Sequence, residues 1–362
     1  DIGDPVFSPD GRTIRFLVAH DLEHVLAQVP ANDGKVEPLL KGGHYIASMS
    51  QSRDGRIVVV AASEGVPPEL HALENGKLRA LTRHNAEWTQ GLDLVKREAI
   101  AFRGVDGEDV HGLLARPVGY QAGRRYPTVM WLHGGPYGRD EYGFDPTVQL
   151  LAANGYAVVQ VNYRGSLGRG RTHGRGIFGD WGNRDVTDSL AGIEHVVGMG
   201  IADPQRLGVG GWSYGGFLTD FIIVSDTRFK AAVSGAGSPT KTSLYGTDLY
   251  AHGNELEWGT PWDNTEMWMR VSRPLFQANR VRTPTLFLHG AKDYNVPVSG
   301  SEQMYRALKT LRIPTQLVIY PDEHHGIHRP SFSRDLSQRL LDWYRTYLLN
   351  DATATTEATA SQ

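Results

Sequence analysis

The stretch Arg206-Leu-Gly-Val-Gly-Gly-Trp-Ser213-Tyr-Gly-Gly-Phe-Leu constrains this chain more than any other. It reads as a short apolar strand, a sharp turn and then a helix. Within it, Gly211-Trp-Ser213-Tyr-Gly215 fits the pattern G-x-S-x-G, in which a serine sits on a strained strand-to-helix turn with its hydroxyl pushed clear of the sheet. Side chains at the flanking glycines would collide with the neighbouring strand and helix. With 42 glycines in 362 residues, the pattern alone is weak. Its weight comes from the elements around it.

From Tyr126 onward apolar strands and helices alternate. Tyr126-Pro-Thr-Val-Met-Trp-Leu reads as a strand, Thr147–Asn154 as a helix and Tyr156-Ala-Val-Val-Gln-Val-Asn as a strand. In Asp185–Val197 the residues Val186, Leu190, Ile193 and Val197 fall on one helical face. Strands follow at Leu207–Gly210, from Phe229, at Thr285–Leu288 and at Thr315–Tyr320, with helices at Ser301–Leu311 and Arg334–Leu349. Such alternation predicts an α/β fold, with a mainly parallel sheet covered on both faces. A hairpin with an Asp106-Gly turn precedes it.

The first 85 or so residues have a different texture. Asp10-Gly11 and Asp54-Gly55 each precede a strand-like run, and each unit continues to a second polar turn, at Asp33-Gly34 and Asn75-Gly76. Self-similarity at about 44 residues is the period of propeller blades. The expected organisation is therefore an incomplete β-propeller segment of about two blades over 1–87, a catalytic region over 88–350 and a disordered, low-complexity tail over 351–362. A propeller needs about four blades or more, so the others are expected outside this chain. The start at Asp1, without a leader-like segment, reads as a processed or truncated product.

Composition removes several classes of function. Lys and Arg total 37 against 40 Asp and Glu, which gives no electrostatic basis for binding nucleic acid or an anionic membrane. No apolar run approaches the length of a membrane span. Cysteine is absent, so disulfides, thiolate metal sites and cysteine nucleophiles are excluded. We expect no metal and no cofactor. A cytoplasmic location is the expectation, although a cysteine-free chain is equally compatible with export.

An acyl-transfer serine needs a base, an orienting acid and oxyanion donors. In an α/β-hydrolase these follow in the order Ser, Asp or Glu, His, at the C-terminal ends of strands. Asp293 comes just after the strand Thr285–Leu288 and fits the acid. The base lies in Tyr320-Pro-Asp-Glu-His-His325-Gly, where spacing alone leaves His324 and His325 both open. Asp322 and Glu323 read as solvated loop charges, and His289 as a packed strand-end histidine. The oxyanion donors expected are the backbone N–H groups of Tyr214 and, in His133-Gly-Gly-Pro, of Gly135.

Taken together, His133-Gly-Gly-Pro, Asn162-Tyr-Arg-Gly-Ser, Gly179-Asp-Trp-Gly, Gly211-Trp-Ser-Tyr-Gly-Gly, Tyr245-Gly-Thr-Asp, Gly259-Thr-Pro-Trp-Asp-Asn, His289-Gly-x-x-Asp-Tyr-Asn-Val-Pro and Tyr320-Pro-Asp-Glu-x-His-Gly resemble the prolyl oligopeptidase family of serine peptidases. The likeness is to its acylaminoacyl-peptidase and bacterial dipeptidyl-aminopeptidase branch, and it runs from about residue 88 to 348. The resemblance implies an α/β-hydrolase catalytic domain, the triad Ser213, Asp293 and His325 rather than His324, and oxyanion donors Gly135 and Tyr214. It implies hydrolysis of short peptides through an acyl-enzyme, with a carboxylesterase on the same fold as the alternative. Where some branches use a tyrosine hydroxyl as oxyanion donor, the comparable loop here carries His133. The dipeptidyl branch captures the substrate amine with two propeller glutamates, and no such pair stands out in residues 1–85. The missing blades would be partners, as a separate polypeptide or as lost sequence, and a homo-oligomer is compatible with the family. Arg164, Phe217, Leu244, Tyr245 and Trp262 are candidates for the substrate pocket, each with an equally simple reading as core or, for Arg164, as a structural ion pair.

Overall fold

The computed structural model describes residues 2–40 and 42–349. The tail expected at 351–362 lies outside the described residues. The first four strands are β1 (Ile2–Phe7), β2 (Thr13–His20), β3 (Glu23–Pro30) and β4 (Glu37–Pro38), and they form one antiparallel sheet in chain order. β5 (His44–Gln51), β6 (Ile57–Ser63), β7 (Val66–Glu74) and β8 (Lys77–Ala80) form a second sheet of the same design. The first turns match closely. Ser8 Oγ donates to Asp10 at 2.6 Å, and Ser52 Oγ donates to Asp54 at 2.5 Å. Gly11 and Gly55 take positive φ, which a side chain would resist. Leu17, Leu26, Leu40, Ile46, Ile57, Val59 and Ala61 pack between the two sheets.

Eight strands make the second region: β9 (Glu98–Arg103), β10 (Asp109–Ala115), β11 (Tyr126–Leu132), β12 (Ala157–Asn162), β13 (Ala202–Trp212), β14 (Ala231–Gly235), β15 (Thr285–Gly290) and β16 (Thr315–Tyr320). Their order is β16-β15-β14-β13-β11-β12-β10-β9, and the six from β11 to β16 run parallel. β9 and β10 add an antiparallel edge. Successive residues point to opposite faces: Val129 and Val158 pack on one side, Met130 and Val159 on the other. Helices Arg184–Gly198, Tyr214–Ser225 and Ser299–Thr310 cover one face, and Pro146–Ala153 and Pro330–Tyr344 cover the other. β11 lies between β12 and β13. The connections therefore leave β11 in one direction and return on its other side, which opens a crevice at the carboxyl ends of these strands.

The alternation read from the sequence is present, with shifted boundaries. β13 begins at Ala202 rather than Leu207, because its first residues continue the pairing with β11 at Tyr126. The last helix begins at Pro330, a residue suited to a first turn where no N–H acceptor is needed. Between β14 and β15 the chain forms three short helices, Ala251–Trp258, Thr265–Arg270 and Arg273–Phe276, that the sequence pattern left unassigned. Among the described residues, no helix is long and apolar enough to cross a membrane.

Polar contacts join the two regions. Arg97 is buried and pairs with Glu64 at 2.6 Å, and it also donates to Gln160 and to the carbonyls of Glu141 and Gly143. Asp21 contacts His111 at 2.9 Å, and its N–H donates to the carbonyl of Gly168.

Candidate active site

Ser213 sits between the end of β13 and the helix Tyr214–Ser225 with φ 61° and ψ −119°. A non-glycine residue held there stores about 1–3 kcal/mol of backbone strain. The packing enforces it. A Cβ on Gly215 would lie 2.1 Å from the carbonyl oxygen of Leu132, and one on Gly211 would lie 2.5 Å from the same atom. The turn is thus pressed against the end of β11, which only glycine permits on both sides. The first N–H groups of the helix have no intrahelical acceptor, and Tyr214 supplies the first of them beside Ser213. The Tyr214 ring is buried, and its hydroxyl donates to Asp185 at 2.5 Å.

After β11, His133-Gly134-Gly135-Pro136 curls toward the same point. A Cβ on Gly134 would approach Ser213 Cβ to 3.3 Å, and Gly135 has φ 132° with Tyr137 N and Gly138 N close behind it. His133 holds this turn. Its ring stacks on Tyr163 with centroids 4.3 Å apart, and its nitrogens lie 2.8 Å from Gly134 O and from Ser166 Oγ. Burial pushes its pKa down to about 4, so it is a neutral strut at physiological pH.

Asp293, after β15, and His325, after β16, meet. His325 Nδ1 lies 2.8 Å from Asp293 Oδ2. With the proton on Nδ1 donated to the carboxylate, Nε2 is left with a lone pair. Trp212 Nε1 donates to the carbonyl of His325 at 2.8 Å and ties that loop to the residue before Ser213. Asp293 is itself fixed by backbone N–H donors from Asn295 and Val296 at 2.9 and 2.8 Å. Burial pushes its carboxyl up, but the His289 and His325 contacts and the Val296 N–H outweigh that and hold it well below the usual range. The carboxylate is therefore ionised wherever the protein is folded near neutrality. His289 is fully buried, with Nδ1 2.8 Å from Ser301 Oγ and Nε2 2.8 Å from Val296 O. His324 points elsewhere and faces the Tyr294 ring.

Glu323 is not the solvated charge that its loop position suggests. It is buried, and it accepts from the N–H groups of His328 and Arg329 at 2.7 and 3.2 Å, shaping the turn that leads to the last helix. Asp322 does face solvent and pairs with Lys292 at 2.7 Å.

A cavity of about 230 Å³ opens beside Ser213, walled by Gly135, Tyr137, Trp181, Phe217, Tyr250 and Val296 among others. Of the five pocket candidates only Phe217 lines it. Arg164 is committed elsewhere: its guanidinium binds Asp188 at 2.7 and 2.8 Å and also pairs with Asp106, so it braces β12's loop against the helix Arg184–Gly198. Leu244 is completely buried outside the pocket. Tyr245 donates to Glu255 at 2.5 Å and its ring meets Trp262 and Trp268 edge-on. Trp262 is largely exposed. The sequence reading missed Tyr137, Trp181, Lys241, Tyr250 and Glu257, all of which line the cavity. Among the described residues, no group of three or more His, Cys, Asp or Glu is arranged to hold a metal ion.

The sequence profile of the prolyl oligopeptidase family matches residues 142–351. The chain belongs to the prolyl oligopeptidase family. This family member is 33% identical over 325 residues to an uncharacterized peptidase, YuxL, of Bacillus subtilis, covering 87% of this chain and 49% of that one. It is 34% identical over 235 residues to the acylamino-acid-releasing enzyme of Arabidopsis thaliana, covering 62% and 31%. The structure of Pyrococcus horikoshii acylaminoacyl peptidase superimposes with a TM-score of 0.89 at 26% identity, over 98% of this chain and 57% of that one. The likeness shows a shared α/β fold. The chain spans about half or less of the length of these curated relatives.

Proposed function

We propose that the chain carries the catalytic centre of a serine peptidase that hydrolyses short peptides through an acyl-enzyme. The observation that carries the reading is the strained Ser213 elbow, tied through the Trp212 indole to the loop that holds His325 against Asp293. In this reading His325 Nε2 takes the proton of Ser213 Oγ as the oxygen attacks the carbonyl carbon. Asp293 holds the ring's tautomer and stabilises the imidazolium. The N–H groups of Tyr214 and Gly135 receive the developing oxyanion. His325 then gives its proton to the leaving amine, and water releases the acyl group from Ser213 by the same steps reversed.

The α/β-hydrolase and propeller assignments belong to the same proposal. Two consecutive four-stranded meanders with matching turns support reading residues 1–87 as propeller blades and 88–350 as the catalytic domain. Two blades are fewer than the four or so a propeller needs, so the proposal includes blades from further sequence or a separate polypeptide. The acylaminoacyl peptidase likeness supplies one candidate substrate class, and a likeness to dipeptidyl-peptidase 5 of Porphyromonas gingivalis, 24% identical over 357 residues and covering 94% of this chain and 51% of that one, supplies the other. A cytoplasmic location belongs to the same proposal, and the cysteine-free composition is as compatible with export.

The test compares wild type with Ser213→Ala on N-acetyl-aminoacyl, free dipeptidyl and internally blocked peptide anilides, beside matched p-nitrophenyl esters. Hydrolysis of one peptide class that falls by about 10⁶ in the variant supports the reading and names the branch. Ester turnover with no peptide cleavage would replace it with a carboxylesterase.

A further inference from the structure

The cavity beside Ser213 is apolar on most of its wall, yet two charged side chains reach it, and they are not equivalent. Glu257 is already engaged: Oε1 accepts the N–H of Gly179 at 2.8 Å and Oε2 accepts the Tyr137 hydroxyl at 3.2 Å. Lys241 is in the opposite condition. Its backbone is pinned at the end of the loop after β14, where the N–H groups of Lys241 and Thr242 both donate to the buried Ser272 Oγ at 2.9 Å. Its ammonium lies 5.7 Å from the Trp181 ring, 5.8 Å from Phe217 and 5.9 Å from Tyr250. Among the described residues, no carboxylate lies within ion-pair distance of it. Ring faces attract a cation but accept none of its three N–H donors.

We propose that this cavity receives the side chain on the acyl side of the scissile bond, and that Lys241 selects there for an apolar stem ending in a carboxylate, as in glutamate. The inference rests on Ser213 being the nucleophile, because that is what fixes which substrate group enters the cavity. The aromatic walls suit methylene groups, and a carboxylate at the Lys241 end supplies the acceptor that the rings do not. Burial pushes the Lys241 amine down to about 8, with Asp248 acting in the other direction. The amine is thus mostly charged at neutral pH, and an arriving carboxylate would raise its pKa again. A basic side chain would meet the lysine's like charge, and the carboxyl among the cavity's lining residues, Glu257, is already engaged by two donors. Val296 closes one wall and belongs to the loop that donates to Asp293, so the cavity is built onto the catalytic loop itself.

The test uses peptidyl diphenyl phosphonates, which form an Oγ–P bond at the serine and release phenol. They would carry glutamate, glutamine, leucine or lysine side chains at the acyl-side position. A plain alkyl fluorophosphonate serves as the probe that fills no side-chain pocket. Inactivation rate constants are read by intact mass for wild type, Lys241→Met and Lys241→Arg. The expected result is that wild type reacts with the glutamate probe about tenfold or more faster than with the glutamine probe. Lys241→Met brings that ratio to about one, and Lys241→Arg keeps it above one. Each ratio is taken within one protein, so differences in folded fraction cancel, and Lys241→Gln replaces the methionine variant if the latter does not fold. A wild type that reacts no faster with glutamate than with glutamine overturns the assignment. So does a lysine probe that reacts fastest, or a ratio that survives Lys241→Met. If the plain probe labels Ser213 in any of these cases, only the selectivity of the cavity falls. If it fails to label folded wild type, the nucleophile reading falls and takes this inference with it.

Discussion

The paired N-terminal sheets and the eight-stranded sheet bury their apolar faces in different ways. The large sheet has helices on both sides, so β11, β12, β14 and β15 are buried almost throughout, as is β13 from Leu207 to Gly211. The small sheets share one modest core and leave Ile2, Phe7, Val66 and Leu70 largely in solvent. Among the contacts that join the regions are an arginine with several acceptors and a histidine beside an aspartate. A deep core on both faces supports a strained serine and an ionised, desolvated aspartate. A shallow one supports a surface. The strained serine, the aspartate and the histidine all lie in the second region.

Three perturbations would break or sharpen this contrast. The largest effect is expected from Asp293→Asn, which removes the charge that orients His325 and should lower kcat by about 10⁴. Limited proteolysis and circular dichroism should look like wild type, since the change lies in the chemistry. Retained turnover would mean that another acid serves His325.

Glu64→Ala comes next. It leaves Arg97 buried without its carboxylate, at a cost of about 3–5 kcal/mol. Urea unfolding should show the loss, and proteolysis should cut within residues 2–87 first while the eight-stranded region stays whole. Simultaneous loss of both regions would show that they unfold as one unit.

The third concerns Asp185, which burial pushes up to about 6 despite the Tyr214 hydroxyl and the N–H groups of Gly182 and Val186. A folded-state pKa above the unfolded one gives stability that is fully present below the unfolded pKa, near 4. It is lost as pH rises to about 6. The wild-type advantage over Asp185→Asn should therefore grow by about 3 kcal/mol as pH falls across that window, at 1.36 kcal/mol per pH unit. Asp293, with its carboxyl held low, works in the opposite sense. A pH-independent difference in urea midpoints would mean that Asp185 ionises as freely as in the unfolded chain.

The parts of the molecule that could be read from sequence are those whose chemistry is local. The G-x-S-x-G turn, the Asp and His at successive strand ends and the paired Asp-Gly turns each need particular residues within a few positions. The elbow glycines announce a close approach to β11 that the structure then displays. The cavity was much less legible. Lys241, Tyr250 and Glu257 come from a segment of short helices without clear periodicity, and Tyr137 and Trp181 come from two other loops. Nothing in their spacing links them. Arg164, Leu244, Tyr245 and Trp262 stand in equally suggestive motifs, yet the fold commits them to an ion pair, the core, a tyrosine–glutamate bond and the surface. The one available signal for Lys241 was a lone cation after the strand next to the elbow, at a topological position where loops face the crevice.

The short loop from Asp293 to Val296 carries a consequence for how such a protein can change over generations. One end holds the charge behind the histidine, the other walls the cavity, and a single backbone N–H joins them at 2.8 Å. Under the proposed mechanism, a change at Val296 that moves its amide would alter the wall of the cavity and the setting of the acid together.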